Sequence, residues 1–203
     1  HMPQAKKTLG LIYAVNPFGA DHQSSEHDWM IEDGIASELY AQRLSELGFE
    51  ETLEPMTLGN KKVKFAYITE LFYSMLDSLE LCQFVWGPAW NLYGPIDTTL
   101  LVKAVTGWDV TVQELLDVGA RRLNLMRLFN YREGLDRRSD KLPKKFFKAL
   151  QGEGPTAGVA ISKQEIETAI DEYYRLADWD KKGKPKAETL KQIGLEWAVK
   201  YLN

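Results

Sequence analysis

The chain has 203 residues, 44% of them hydrophobic and 11% aromatic, enough for one substantial core or two small ones. A formal net charge of −4 with acids and bases interspersed argues against nucleic acid or an anionic membrane as the main partner. No signal peptide or membrane-length apolar run is present, and the single cysteine, Cys82, cannot form an internal disulfide, which fits a cytoplasmic setting.

His1-Met2 reads as a cloning scar, and residues 3–203 as one helical domain that begins mid-protein. The dominant periodicity is helical, with few alternating runs, so the fold class is all-α with six to eight helices. The first covers roughly residues 5 to 14, before the loop Asn16-Pro17-Phe18-Gly19 onward to Ser25. A second runs from about Gly34 to Leu47, with Ile35, Leu39, Leu44 and Leu47 near one face and Gly48 as its stop. A third, from about Lys61 to Asp77, is rich in aromatics and leads into Cys82. Residues 86–95 are loop-like, and Asp97 offers an N-cap to a helix ending at Gly107. Thr111-Val112-Gln113-Glu114 and Ser162-Lys163-Gln164-Glu165 are capping boxes, in which hydroxyl and carboxylate satisfy free amides at two helix starts. The first of these helices extends to about Gly134. Residues 151–158, rich in glycine, suggest a mobile loop or a subdomain boundary. Gly107-Trp108-Asp109 and Asp178-Trp179-Asp180 look alike, by coincidence or by similar capping.

Candidate chemistry is sparse. There is no Walker motif, nucleophile elbow or zinc-type ligand run. Cys82 taken alone is expected to fill the core, as most free cysteines do, with a ligand or redox role as the rarer alternative. His22 and His27 share a loop with Asp21, Glu26 and Asp28; a metal-dependent hydrolase could be built there, but a spacing of five is not that of a zinc helix and favours a solvated loop. Either imidazole suits proton transfer near neutrality. The run Arg132 to Arg138 reads as an ion-paired helix end.

The order of these features resembles the aldehyde ferredoxin oxidoreductase family. Asp77-Ser78-Leu79-Glu80-Leu81-Cys82 is similar to its Asp-x-x-Gly-Leu-Cys motif, and Asn16 to His22 to its pterin-side loop. Phe129-Asn130-x-Arg132-Glu133-Gly134, Asp140-Lys141-Leu142-Pro143, Tyr173-Tyr174, Trp179-Asp180 and Leu190 to Leu195 follow in the family's order. The resemblance implies the helical C-terminal domain of a large cytoplasmic enzyme, in which a tungsten (or molybdenum) bis-pterin lies beside a [4Fe–4S] cluster. Aldehyde and water would become carboxylate, with electrons leaving to ferredoxin. It further implies that Cys82 is the fourth thiolate of the cluster, the other three lying in a missing middle domain, that Asp77 hydrogen-bonds the pterin, and that Gln83 is the next cofactor contact. His22 would sit near the metal in proton transfer or substrate orientation, and the isolated fragment would hold no cofactor and be inactive.

Three positions depart from the pattern. Glu80 replaces the motif's glycine, while Phe18 and Ser24 stand where relatives often carry an arginine and a lysine. These departures imply a divergent branch in which the pterin is held differently, the substrate is not a simple aldehyde, or the metal is molybdenum. The rival reading is a non-catalytic helical module binding a protein partner through aromatic surface. The segment Leu81 to Trp86 separates the two: a former interdomain surface is exposed, whereas an independent module buries it.

Overall fold

The computed structural model describes residues 2–28, 38–51, 53, 56–87 and 90–202. Among them the chain is all-α: α1 Lys7–Val15, α2 Glu38–Ser45, α3 Asn60–Ser78, α4 Gln83–Trp86, α5 Pro95–Thr106, α6 Val112–Arg132, α7 Lys163–Ala177 and α8 Ala187–Gln192, with 3-10 turns at Lys144–Phe147 and Glu196–Tyr201. The described residues form no strand, only an isolated bridge between Trp179 and Pro185.

Helix α3 is the central rod. It packs against α6, α7 and α1, and it buries polar as well as apolar positions, among them Lys62, Thr69, Glu70 and Ser74 beside Phe65, Phe72 and Met75. A helix covered on most sides has this composition, because little of its surface is left to water. Helix α6 buries Leu115, Leu116, Gly119, Ala120 and Leu123 at helical spacing, and α7 buries Ile166, Ala169, Ile170, Tyr173, Tyr174 and Ala177. Each such large apolar side chain stabilises the fold by about 1.5–3 kcal/mol before entropy is counted. At Gly119 the backbones of α6 and α3 nearly touch: a Cβ there would lie 1.9 Å from the Leu71 carbonyl oxygen.

The helix ends show which local signals decide the structure. At Thr111 and Ser162 the hydroxyl accepts the amide of Glu114 (3.2 Å) and Glu165 (3.0 Å), as the capping boxes require. Asp97 instead occupies the third helical position: Gly94 is the N-cap, Pro95 opens the helix, and Asp97 reaches back to the Gly94 amide at 2.7 Å. Of the apolar face expected on α2, Leu44 and Leu47 are buried but Leu39 is exposed, and Tyr40 and Arg43 take the inward positions. The expected start of that helix, residues 34–37 with Ile35, lies outside the described residues. Gly107 and Asp178 both cap their helices in the left-handed conformation, at φ 78° and 54°, so the two similar tripeptides share a capping geometry. Their tryptophans differ, Trp108 being exposed and Trp179 buried.

Arg127 on α6 ties the C-terminal third to the core. It grips Asp140 bidentately at 2.9 and 2.7 Å, donates to the Gly183 carbonyl at 2.6 Å and lies 4.6 Å above the Trp179 ring. The arginine run nearby is ion-paired as expected, with Arg132 on Glu133, Arg137 on Glu167 and Arg138 on Asp136. Residues 151–158 form an exposed loop closed by backbone hydrogen bonds of Leu150 to Gly158 and Val159, both 2.9 Å.

Candidate functional site

Helix α3 ends in a Schellman turn that presents the motif. The Leu81 amide donates to the Leu76 carbonyl (3.0 Å) and the Glu80 amide to that of Asp77 (3.2 Å), with Glu80 at φ 55°. A residue in the left-handed region is easiest for glycine, which accounts for the glycine of the similar motif; here the glutamate side chain is exposed and the turn is kept. Cys82 follows as the N-cap of α4, its carbonyl accepting the amides of Val85 (2.9 Å) and Trp86 (3.0 Å). Its thiol is exposed, contrary to the core-filling role expected of it in isolation. Beside it Phe84 is 77% exposed and Val85 is exposed too, while Trp86 turns inward to stack on Tyr93 with centroids 4.7 Å apart.

Asp77, Gln83 and a residue not singled out by sequence, Arg122, form one polar group. Gln83 Nε2 donates to Asp77 Oδ1 at 2.9 Å, and Arg122 lies 3.0 Å from Asp77 Oδ2. Arg122 comes from α6, so the last turn of α3 is pinned from a neighbouring helix. The pairing spans 45 positions in the chain and left no local signal.

A cavity of about 250 Å³ opens between this turn and the loop after α1, lined by His22, Gln23, Ser25, Glu26, His27, Tyr73, Gln83, Phe84 and Gly87. His22 and Gln83 therefore face one space, with Asp77 bonded to Gln83 and Cys82 next to it in sequence. Gly87 is required by the close packing, since a Cβ would lie 2.5 Å from the Gln83 carbonyl and 3.1 Å from the Tyr73 phenol. The loop is shaped by its own side chains. Asn16 donates to Ser24 Oγ (2.7 Å), which donates to Asp21 (2.9 Å), and Asn130 of α6 holds the Pro17 carbonyl (2.7 Å). Phe18 is exposed.

Asp28 and Lys62 form a buried ion pair, and Asp28 also accepts the amides of Thr8 (3.1 Å) and Leu9 (3.3 Å) at the start of α1. Asp28 is thus engaged by Lys62 and the start of α1, and among the described residues no group of three His, Cys, Asp or Glu side chains could hold a metal ion. The hydrolase arrangement of Asp21, His22, His27 and Asp28 does not assemble. Burial is the main cause that lowers the His27 pKa from its ordinary value, and burial followed by the nearby Glu26 raises that of Tyr73 well above its own.

Residues 1–195 match the family described as aldehyde ferredoxin oxidoreductase, domains 2 & 3. The chain belongs to this family. A tungsten-containing aldehyde ferredoxin oxidoreductase of Pyrococcus horikoshii is 31% identical over 96% of the chain and 29% of its own length, and one of Pyrococcus furiosus is 31% identical over 95% and 29%. The chain therefore spans under a third of the aldehyde ferredoxin oxidoreductases it matches. An aliphatic sulfonate oxidoreductase, WOR-like subunit, of P. furiosus is 28% identical over 64% of the chain and 21% of its own length. The fold is shared with the active site complex BamBC of benzoyl coenzyme A reductase in complex with 1,5-dienoyl-CoA, at a TM-score of 0.66 and 18% identity over 98% of this chain and 31% of that one. No helix among the described residues is long and apolar enough to cross a membrane.

Proposed function

We propose that this chain forms one wall of the cofactor cavity of a cytoplasmic tungsten- or molybdenum-pterin oxidoreductase that converts aldehyde and water to carboxylate and delivers electrons to ferredoxin. The observation that carries this reading is the exposed Cys82 just beyond the Schellman turn, with Asp77 and Gln83 hydrogen-bonded beside it and Gln83 sharing a cavity with His22. The exposure of Phe84 and Val85 suits a surface covered by the rest of a larger enzyme better than an independent module.

The donor set fits the implied groups. A thiolate suits iron, and Cys82 supplies one of the four that a [4Fe–4S] cluster needs, the other three coming from a middle domain outside this chain. The carboxylate oxygens of Asp77 are acceptors suited to pterin N–H groups, and Arg122 and Gln83 hold them in place. When bound, the metal-pterin and cluster supply the redox chemistry. His22 moves protons or orients substrate at the cavity wall. Ser24 engages Asn16 and Asp21 at a position where relatives place a cation, so the pterin phosphate or its magnesium is held by other groups. With one thiolate of four, the isolated chain carries no cluster and is inactive.

The test is metal content of the anaerobically purified full-length protein, native and Cys82→Ala. Iron together with tungsten or molybdenum in the native protein, and iron lost on substitution, is the expected result. A full-length protein with neither iron nor tungsten or molybdenum would overturn the reading in favour of a partner-binding module.

A further inference from the structure

Arg122 meets more of α3 than Asp77. Its Nη1 donates to Ser74 Oγ at 3.3 Å while its Nη2 lies 3.0 Å from Asp77 Oδ2, so the guanidinium spans the turn between them. Ser74 Oγ in turn donates to the Gly119 carbonyl of α6 at 3.1 Å. Glu70 stands one turn further back on the same helix: Glu70, Ser74 and Asp77 follow one another at spacings of four and three, which places them on one face. Arg122 therefore lies along a row with a buried carboxyl at one end and the cofactor-side carboxylate at the other.

Only half of the Glu70 carboxyl is satisfied. Tyr173 of α7 donates to Oε2, whereas Oε1 is buried and accepts no hydrogen bond among the described residues. Burial raises the Glu70 pKa to about 8, against the Tyr173 hydrogen bond and the charge of Arg122. A neutral carboxyl tolerates an unpaired oxygen far better than a carboxylate does. On ionisation the new charge needs a cation, and Arg122, half-buried on a flexible stem, is the cation that acts on it. The other titratable groups nearby are engaged or neutral. Tyr67, one turn earlier on α3, and Tyr173 both have their pKa raised by burial first and by Glu70 next, and Asp117 of α6 and Asp178 beyond α7 act on Tyr67. Lys7 of α1 holds Glu165 of α7 at 2.6 Å, and α4 carries no titratable side chain.

We propose that Glu70 is a positioning residue of the cofactor site that acts on Asp77 through Arg122: when Glu70 gives up its proton, the guanidinium is drawn back along α3 and its hold on Asp77 slackens. The O–H bond of the carboxyl breaks, the proton passes to solvent, and the electron pair stays on the carboxylate that Arg122 then shares with Asp77. Coupling of this kind is reciprocal, so a change of charge at Asp77 alters the acidity of Glu70 by the same factor. The meaning for the cofactor rests on reading Asp77 as a pterin contact; the coupling itself is a property of this chain.

The test is ¹³C NMR of the side-chain carboxyls of this chain as a function of pH. The Asp77 Cγ resonance is expected to show a step that coincides with the Glu70 Cδ titration near pH 8. Glu70→Gln should remove that step. Arg122→Gln should remove it while Glu70 still titrates, at higher pH, and Arg122→Lys, which keeps the charge, should restore it in part. Asp77→Asn should raise the acid constant of Glu70 about fivefold, the lower end of ordinary coupling between sites, and by less in the Arg122→Gln background. An Asp77 resonance that stays silent while Glu70 titrates, an equal step in Arg122→Gln, or a step that survives Glu70→Gln would each overturn the assignment. Should Glu70→Gln fold poorly, the half-buried Arg122 variants carry the test. Metal content of the full-length protein decides the cofactor reading separately, so failure of one is distinguishable from failure of the other.

Discussion

Replacing Glu80 by glycine should stabilise this protein, although it removes a side chain. Glu80 holds φ 55°, a region that costs an ordinary residue roughly 1–2 kcal/mol. Glycine avoids that cost but loses about 0.5–1 kcal/mol more chain entropy on folding. The Glu80 side chain is exposed, so little packing is lost. The net gain is about 0.5–1 kcal/mol, which for a chain of this length raises Tm by about 1–4 °C. Thermal unfolding followed by circular dichroism measures it, with Glu80→Ala as the control that removes the charge while keeping a Cβ in the left-handed region. Equal Tm values for the glycine and alanine variants, or a lower one for glycine, would refute the argument that backbone conformation governs this position.

Asp28→Asn should destabilise by about 3–5 kcal/mol, because it removes the negative charge that faces the buried Lys62 ammonium. Urea unfolding should also find Asp28→Leu with Lys62→Met less damaging than the single change, since both charges of the buried pair are then removed together. Glu70 gives a pH signature. Burial raises its pKa to about 8, with the Tyr173 hydrogen bond and Arg122 opposing, so the folded protein holds a proton that the unfolded chain releases near 4.5. Its stabilising contribution is complete below pH 4.5 and is lost progressively as pH rises to 8. Glu70→Gln should flatten the decline in urea midpoint between pH 5 and 8; an unchanged slope would assign the decline to other groups.

What the sequence makes legible here is what closes within a few residues. The capping boxes at Thr111 and Ser162 are local hydrogen bonds between positions three apart, and both hold. Asp97 shows the limit: the same carboxylate can serve an N-cap or the third helical position, and Pro95 two residues earlier decides between them. Helix α4, with four residues and no side-chain cap, carries too little periodicity to be read. The site splits along the same line. Asp77, Cys82 and Gln83 share one turn and are visible as a motif, whereas Glu26 with Tyr73 and Asp77 with Arg122 meet only through folding. His22 and His27 illustrate the difference most directly, because spacing treats them alike while burial and one carbonyl bond give them different environments.

The contact at Gly119 has a consequence for any attempt to alter the cavity. Helix α3 carries Tyr73 and Asp77 on the same few turns whose carbonyl at Leu71 rests against α6 with no room for a methyl group. A side chain at 119 would have to push the whole rod, because interiors packed at this density transmit displacement and do not absorb it. Position 119 thus acts as a remote set-screw on the cavity: it touches nothing there, yet it fixes the height of the shelf that carries the cavity residue Tyr73 and Asp77, the partner of the cavity residue Gln83.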